Sequence, residues 1–222
     1  NLDRHNPHRW VNFRSAPTEV DSGDFRALLD GRLPNGTEMH RGGEGRTAGL
    51  DLTFSAPKSL SMQALIGGSK ELLDAHQQAV SHALRYVQAE LAAYRSTQNG
   101  ETVSLSSQNV VAARFDHDLS RELDPQVHTH CVLLNLTQRP DGEWRALDAH
   151  ALYEQQKLLG IVYRADLAKR VQELGYGIGE MGGDLCPHDA GAQNGSFLNR
   201  KFAQSFLLKR INRPVARAWP SC

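Results

Sequence analysis

The hydrophobic positions of this chain change period several times, and each change marks an element. Leu73, His76, Val80, Leu84, Val87 and Leu91 recur at three- and four-residue steps. That spacing lays one buried stripe along a helix, which is predicted over residues 72–94. Leu152, Leu159, Val162, Leu167 and Val171 repeat the pattern and predict a second long helix over 149–174. Between the two the helical period disappears. Ser107-Gln-Asn-Val110-Val111-Ala-Ala-Arg-Phe115 and Cys131-Val132-Leu133-Leu134-Asn135-Leu136 are strand-like runs, and they predict paired strands over 102–115 and 127–138. Asp124-Pro125 separates them as a turn, because the residue before a proline is pushed out of the helical region.

Shorter signals fill in the remainder. Asp21 can cap a short helix that Gly31 ends. Four glycines between 42 and 49, with Arg41 and Arg46, read as a loop. Asp51-Leu-Thr-Phe-Ser55 reads as a strand, and Pro57 opens a helix at its favoured first-turn position. Pro140-Asp-Gly142 is a turn, with Trp144 after it as a core or hairpin residue. The order strand, helix, long helix, two long strands, helix predicts an α+β fold: a central antiparallel sheet with helices packed mainly on one face. The other face is left to carry a site.

Candidate chemistry sits in the second strand pair. His128 and His130 are two apart, so on a strand both side chains share a face. His117 lies on the neighbouring run, and a short connection brings three imidazoles together. Three neutral nitrogen donors with open positions suit a catalytic metal site better than a closed structural one. His-x-His alone is a weak signal, and an isolated histidine is ordinarily a surface or core residue. His76 and His82 are therefore expected to be ordinary helix residues. Of the acids crowding this loop, Asp116, Asp118 and Asp124, at least two are expected to be exposed.

Bulk properties narrow the reading only a little. The 222 residues suffice for one domain with a substantial core. Lysine plus arginine equals aspartate plus glutamate at 25 each, so a nucleic-acid partner needs a local basic surface rather than net charge. Cys131, Cys186 and Cys222 are scattered and odd in number, which fits a reducing cytosol rather than a disulfide framework. No apolar stretch reaches the ~18 residues of a membrane span, so a cytoplasmic location without a membrane segment is expected. The chain opens on Asn1 and reads as part of something longer.

The segment Phe115-Asp-His117-Asp-Leu-Ser120-Arg121-Glu-Leu-Asp124-Pro125-Gln126-Val-His128-Thr129-His130 resembles the three-histidine motif of conjugative relaxases of the MobF type, a group of HUH endonucleases. Asp51-Leu-Thr-Phe-Ser55-Ala-Pro57-Lys58-Ser59-Leu-Ser61 resembles that family's other signature block, and Gly31 to Gly36 and Tyr163-Arg164 fit as flanking blocks. The resemblance runs from about residue 8 to 180 and implies a central antiparallel sheet bearing the histidines. It implies metal-dependent, site- and strand-specific nicking of single-stranded DNA at a plasmid transfer origin, by transesterification onto a tyrosine.

His117, His128 and His130 are then the metal ligands, with magnesium or manganese in use and zinc, nickel or cobalt also compatible with imidazole. Asp51 stands at the signature aspartate and is expected to fix a histidine tautomer. Lys58 at a helix start is a candidate phosphate contact, and Arg41, Arg46 and Arg114 are candidate DNA contacts with less support. Origin DNA and relaxosome accessory proteins are the implied partners.

Two departures qualify the resemblance. The family's nucleophilic tyrosines lie close to the N-terminus, and residues 1–50 contain no tyrosine, so no nucleophile is assigned in this chain. As given, it is expected to lack the covalent step. After about Met181 the resemblance stops, and residues 182–222 hold six basic residues against two acidic ones. The chain is accordingly divided into a relaxase domain over 1–181 and a basic, divergent or poorly ordered tail. Two other readings stay open: a non-catalytic DNA- or metal-binding remnant of a relaxase, and a small metal-dependent phosphoesterase. Val132 disfavours the second, because it stands where the histidine alternation of nucleotide hydrolases would continue.

Overall fold

A computed structural model describes residues 9–11, 20–33, 38, 47–181, 184–189 and 206–212, with side chains over 20–33, 38 and 47–178. Its centre is a five-stranded sheet in the order β1-β5-β6-β2-β11, formed by β1 (Arg9–Val11), β5 (Ala112–Leu119), β6 (Pro125–Leu134), β2 (Thr47–Ser55) and β11 (Phe206–Asn212). Every neighbouring pair is antiparallel.

Strand alternation divides the side chains between two faces. Leu50, Leu52, Phe54, Val127, Cys131 and Leu133 form one core with α2 (Lys58–Leu65), α3 (Lys70–Tyr86) and α5 (Gln156–Glu173). Ala48, Ala113, Phe115, Val132 and Leu134 form a second with α1 (Ser22–Leu29), which supplies Phe25, Leu28 and Leu29. The larger helical layer thus covers one face, and α1 covers only part of the other. What α1 leaves open is the end where the histidines lie.

Local chemistry explains the elements. Asp21 caps α1 by accepting from the amides of Gly23 and Asp24, and Gly31 follows its end at φ 81°. On α3 the buried residues are Leu72, Ala75, His76, Ala79, Val80, Ala83 and Leu84, a continuous stripe. Gly49 lets β2 approach β6, since a Cβ there would stand 2.5 Å from the carbonyl oxygen of Leu133.

The structure differs from the expected elements in three places. The helix predicted over 72–94 ends in a π-helical turn, Val87–Leu91, and Tyr94 belongs to β3 (Ala93–Gln98). β3 pairs with β4 (Glu101–Ser106) through Asn99-Gly100, both at positive φ, as a tight hairpin turn demands. The strand predicted over 102–115 is therefore two strands in different sheets, and Gln108 at φ 49° lies in the break. The second long helix is interrupted at Gln155, which separates α4 (His150–Glu154) from α5 and accepts a hydrogen bond from the Tyr86 hydroxyl.

β7 (Thr137–Gln138) pairs with β8 (Trp144–Arg145) in a separate two-stranded sheet, and the tail also contributes strands. β9 (Tyr176–Met181) pairs with β10 (Asp184–Asp189), and β11 adds to β2, so residues 206–212 belong to the central sheet rather than to an appendage. Among the described residues, no helix is long and apolar enough to cross a membrane.

Candidate metal centre

His117 and His128 face each other across β5 and β6, and His130 lies one same-face position further along β6. Their ring centroids form a nearly equilateral triangle of 5.1, 5.4 and 5.3 Å. Three imidazoles that share one ion through nitrogens at ~2.1 Å stand with their centroids roughly 5 Å apart, so the triangle has the right size. Among the described residues, no three histidine, cysteine or carboxylate side chains are placed so that they could hold a metal ion as they stand, so the triangle rests on the spacing of the rings and not on a formed ligand set.

The hydrogen bonds at the outer nitrogens decide what the inner ones can do. Both Asp51 carboxylate oxygens lie 2.9–3.0 Å from His130 Nδ1. A carboxylate only accepts, so Nδ1 carries the proton and Nε2 keeps its lone pair for a metal. Thr53 Oγ1 stands 3.1 Å from the same nitrogen and donates to Asp51 Oδ1 at 3.4 Å. His128 Nδ1 donates to the Gln126 carbonyl at 2.9 Å, which frees its Nε2 in the same way. Burial is the main cause that lowers the His128 pKa below the usual histidine value and keeps the ring neutral.

The pairing of β2 with β6 produces this arrangement. Thr53 is the cross-strand partner of His130 and Asp51 that of Val132, so Asp51, Thr53 and the two histidines share one face. The Asp51 side chain is only 7% exposed. Thr53 has no role in the sequence reading, yet its two-residue offset from Asp51 already placed it on the same face.

The remaining candidates separate. Lys58 donates from Nζ to the Pro125 carbonyl at 2.9 Å and stands 4.0 Å from Asp124. Beside it, the Gln126 amide donates to the Ala56 carbonyl and the Ser61 hydroxyl accepts from the Val127 amide. These bonds latch the start of α2 to the first residues of β6, just before His128.

Arg114 does not fit its expected role as a DNA contact. It is buried on the opposite face, donates to Ser81 Oγ and the Gln77 carbonyl, and stands 3.6 Å from Asp116. The reason is parity: Arg114 is three residues from His117, so on a strand the two point to opposite faces. Arg41 and Arg46 lie outside the described residues.

Asp116 likewise turns inward, accepting from the Thr129 hydroxyl, whereas Asp124 is largely exposed. His76, expected as an ordinary helix residue, is fully buried between Tyr163 and Thr129. The five tyrosines belong to other parts of the fold. Tyr163 is buried in the helical layer with its pKa raised by burial, and Tyr94 lies in the β3–β4 hairpin under Arg139. Tyr86, Tyr153 and Tyr176 sit on α3, α4 and β9.

The TrwC relaxase family model matches residues 6–194, and the chain belongs to that family. It is 44% identical over 169 residues to the multifunctional conjugation protein TraI of Escherichia coli K12, a match that covers 71% of this chain and 10% of TraI. Among solved structures it resembles the conjugative relaxase TrwC in complex with oriT DNA. The copper-bound complex is 40% identical with a TM-score of 0.76, covering 82% of this chain and 64% of TrwC. A second metal-bound complex is 39% identical with a TM-score of 0.77, covering 83% and 67%. The chain thus spans a tenth of TraI and about two thirds of the solved TrwC chains.

Proposed function

We propose that this chain carries the metal-binding part of a relaxase site that nicks single-stranded DNA at a plasmid transfer origin. The observation that carries the reading is the orientation of the ring nitrogens. Two histidines on one sheet face have Nδ1 tied back, one to a buried carboxylate and one to a carbonyl, which leaves the Nε2 lone pair as the donor each ring can offer a metal. A divalent cation on His117, His128 and His130 would supply Lewis-acid stabilisation of the charge that develops on a scissile phosphate.

The chain's own residues then do three things. Asp51 and Thr53 hold the His130 tautomer, so that the ring presents a lone pair rather than a proton. The Gln126 carbonyl does the same for His128. Lys58 anchors the Pro125 end of the histidine hairpin beside Asp124, and its ammonium group is the candidate contact for a DNA phosphate. In the proposed reaction a hydroxyl attacks phosphorus in line, a new phosphoester bond forms at the 5′ side, the bond to the 3′ oxygen breaks, and the hydroxyl proton ends on the departing 3′ oxygen. None of the five tyrosines of this sequence is assigned as the source of that hydroxyl.

Imidazole donors admit manganese, zinc, nickel, cobalt or copper, and magnesium only with additional oxygen ligands. The test is a titration of a labelled origin single strand with and without manganese. Manganese is expected to tighten binding to the wild-type chain and to leave the His128→Ala/His130→Ala variant unchanged. An equal response of both proteins refutes the site. Covalent capture of the same oligonucleotide reports separately on whether a nucleophile is present.

A further inference from the structure

Directly behind the histidines, on the helical face of the sheet, lies a buried polar chain that the proposed reaction does not use. Thr129 stands between His128 and His130 in β6 and so points to the opposite face, where it is fully buried. Its single hydroxyl proton goes to Asp116 Oδ1. Thr129 Oγ1 must then accept from His76 Nε2–H at 2.9 Å, which leaves His76 Nδ1 to accept from the Tyr163 hydroxyl at 2.8 Å. One tautomer satisfies every member. Protonating His76 would turn its bond with Tyr163 around and take away the acceptor of the Tyr163 hydroxyl proton, and burial holds the His76 pKa down at about 3. Arg114 closes the far side, 3.6 Å from Asp116 and bonded to Ser81 of α3.

Its position in the sheet gives the chain a consequence. Asp116 and Thr129 are cross-strand partners, one pair before His117 and His128. Past His117 the register shifts before Leu119 meets Pro125, so the ladder beyond the histidine pair is irregular. The His117–His128 pair is therefore the last regular pair of this ladder, and the Asp116–Thr129 side-chain bond ties the pair beside it, between His128 and His130 along β6. His76 and Tyr163 connect this tie to α3 and α5, the rigid helical layer.

We propose that Asp116, Thr129 and His76, with Tyr163 behind them, form a positioning network that holds the three site histidines in register from the opposite face of the sheet. The inference rests on the metal reading above. Thr129→Val keeps the shape of the side chain and removes the hydroxyl. In cobalt(II) titrations of the folded protein this variant is expected to lose on the order of tenfold in affinity and to show a shifted ligand-field spectrum at saturation, as other supports behind metal ligands do. Thr129→Ser, which keeps the hydroxyl, should restore both.

Thr137→Val serves as the control. It removes an equally buried hydroxyl, bonded to Ser107 and the Asn109 carbonyl away from the histidines. It should lower thermal stability while leaving cobalt affinity and spectrum unchanged. Wild-type affinity and spectrum in folded Thr129→Val, or an equal loss in Thr137→Val, overturns the network. Failure of the wild-type chain to bind cobalt overturns the metal reading and the network with it. If Thr129→Val does not fold, Tyr163→Phe at the far end of the chain carries the test, with about a threefold loss expected and an unchanged affinity refuting the proposal.

Discussion

Replacing Asp51 by asparagine tests the central geometry with almost no change of shape. Asp51 is nearly buried, accepts from His130 Nδ1 through two oxygens 2.9–3.0 Å away, and accepts from Thr53. Asparagine retains one oxygen and loses the charge, so it can still bond His130 or Thr53 but no longer stabilises positive charge drawn onto the ring by an ion. A hydrogen bond to a charged group contributes roughly 1.5–3 kcal/mol, against about 1 kcal/mol for a neutral one. The difference of about 0.5–2 kcal/mol amounts to about a 2- to 30-fold loss of metal affinity at 1.4 kcal/mol per tenfold, and its upper part meets the range of outer supports at other metal sites.

The assay is calorimetric titration of manganese or cobalt at pH 8. Asp51→Asn should weaken binding by that factor while unfolding near the wild-type temperature, because relief of a buried charge offsets the weaker hydrogen bond. Affinity within about twofold of wild type would sink the claim that Asp51 tunes His130. With Asp51→Ala, strand cleavage by a competent relaxase assembly should fall further than metal-free DNA binding; equal loss of both removes the assignment.

Other outcomes follow from the same coordinates. His76 is neutral in the fold with a pKa near 3 against 6.5 for an ordinary histidine. Its contribution is present above about pH 6.5 and is lost as pH falls toward 3, by up to ~1.4 kcal/mol per unit; urea unfolding at pH 7 and pH 5 should show a flatter acid slope in His76→Gln, and an identical slope would refute the assignment. Gly49→Ala places a methyl against the Leu133 carbonyl and should destabilise the β2–β6 pair by about 1–3 kcal/mol, read as a lowered denaturant midpoint. Leu52→Ala, fully buried in the helical core, should cost about 2–5 kcal/mol by the same measurement. Manganese at a hundredfold excess over its dissociation constant should add about 2.7 kcal/mol to wild-type stability and nothing to His128→Ala/His130→Ala, measured as a shift in Tm.

Much of the site was legible from the chain alone. The two-residue spacing of His128 and His130 needs only strand alternation to put both on one face, and Asp124-Pro125 marks the connection that returns His117 to them. Asp51 could be singled out from its motif, and parity would have placed Thr53 with it and turned Arg114 away. The Asn99-Gly100 turn, too, was readable as a hairpin that ends the preceding helix early.

Other features belong to the tertiary structure. His76 falls on the same helical period as Val80 and Leu84, and nothing local separates a core histidine from a partner of the site. Its bonds reach Thr129, 53 residues away, and Tyr163, 87 away. The partner of Asp51 was likewise undecided until β2 paired with β6, because a carboxylate acquires its role from the register of a strand 79 residues distant. Alternation and turns are local and persist in any context, so the sequence by itself determined which residues share a face. Which groups meet across that sheet, and which are sealed behind it, was decided only when the helices closed over the other face.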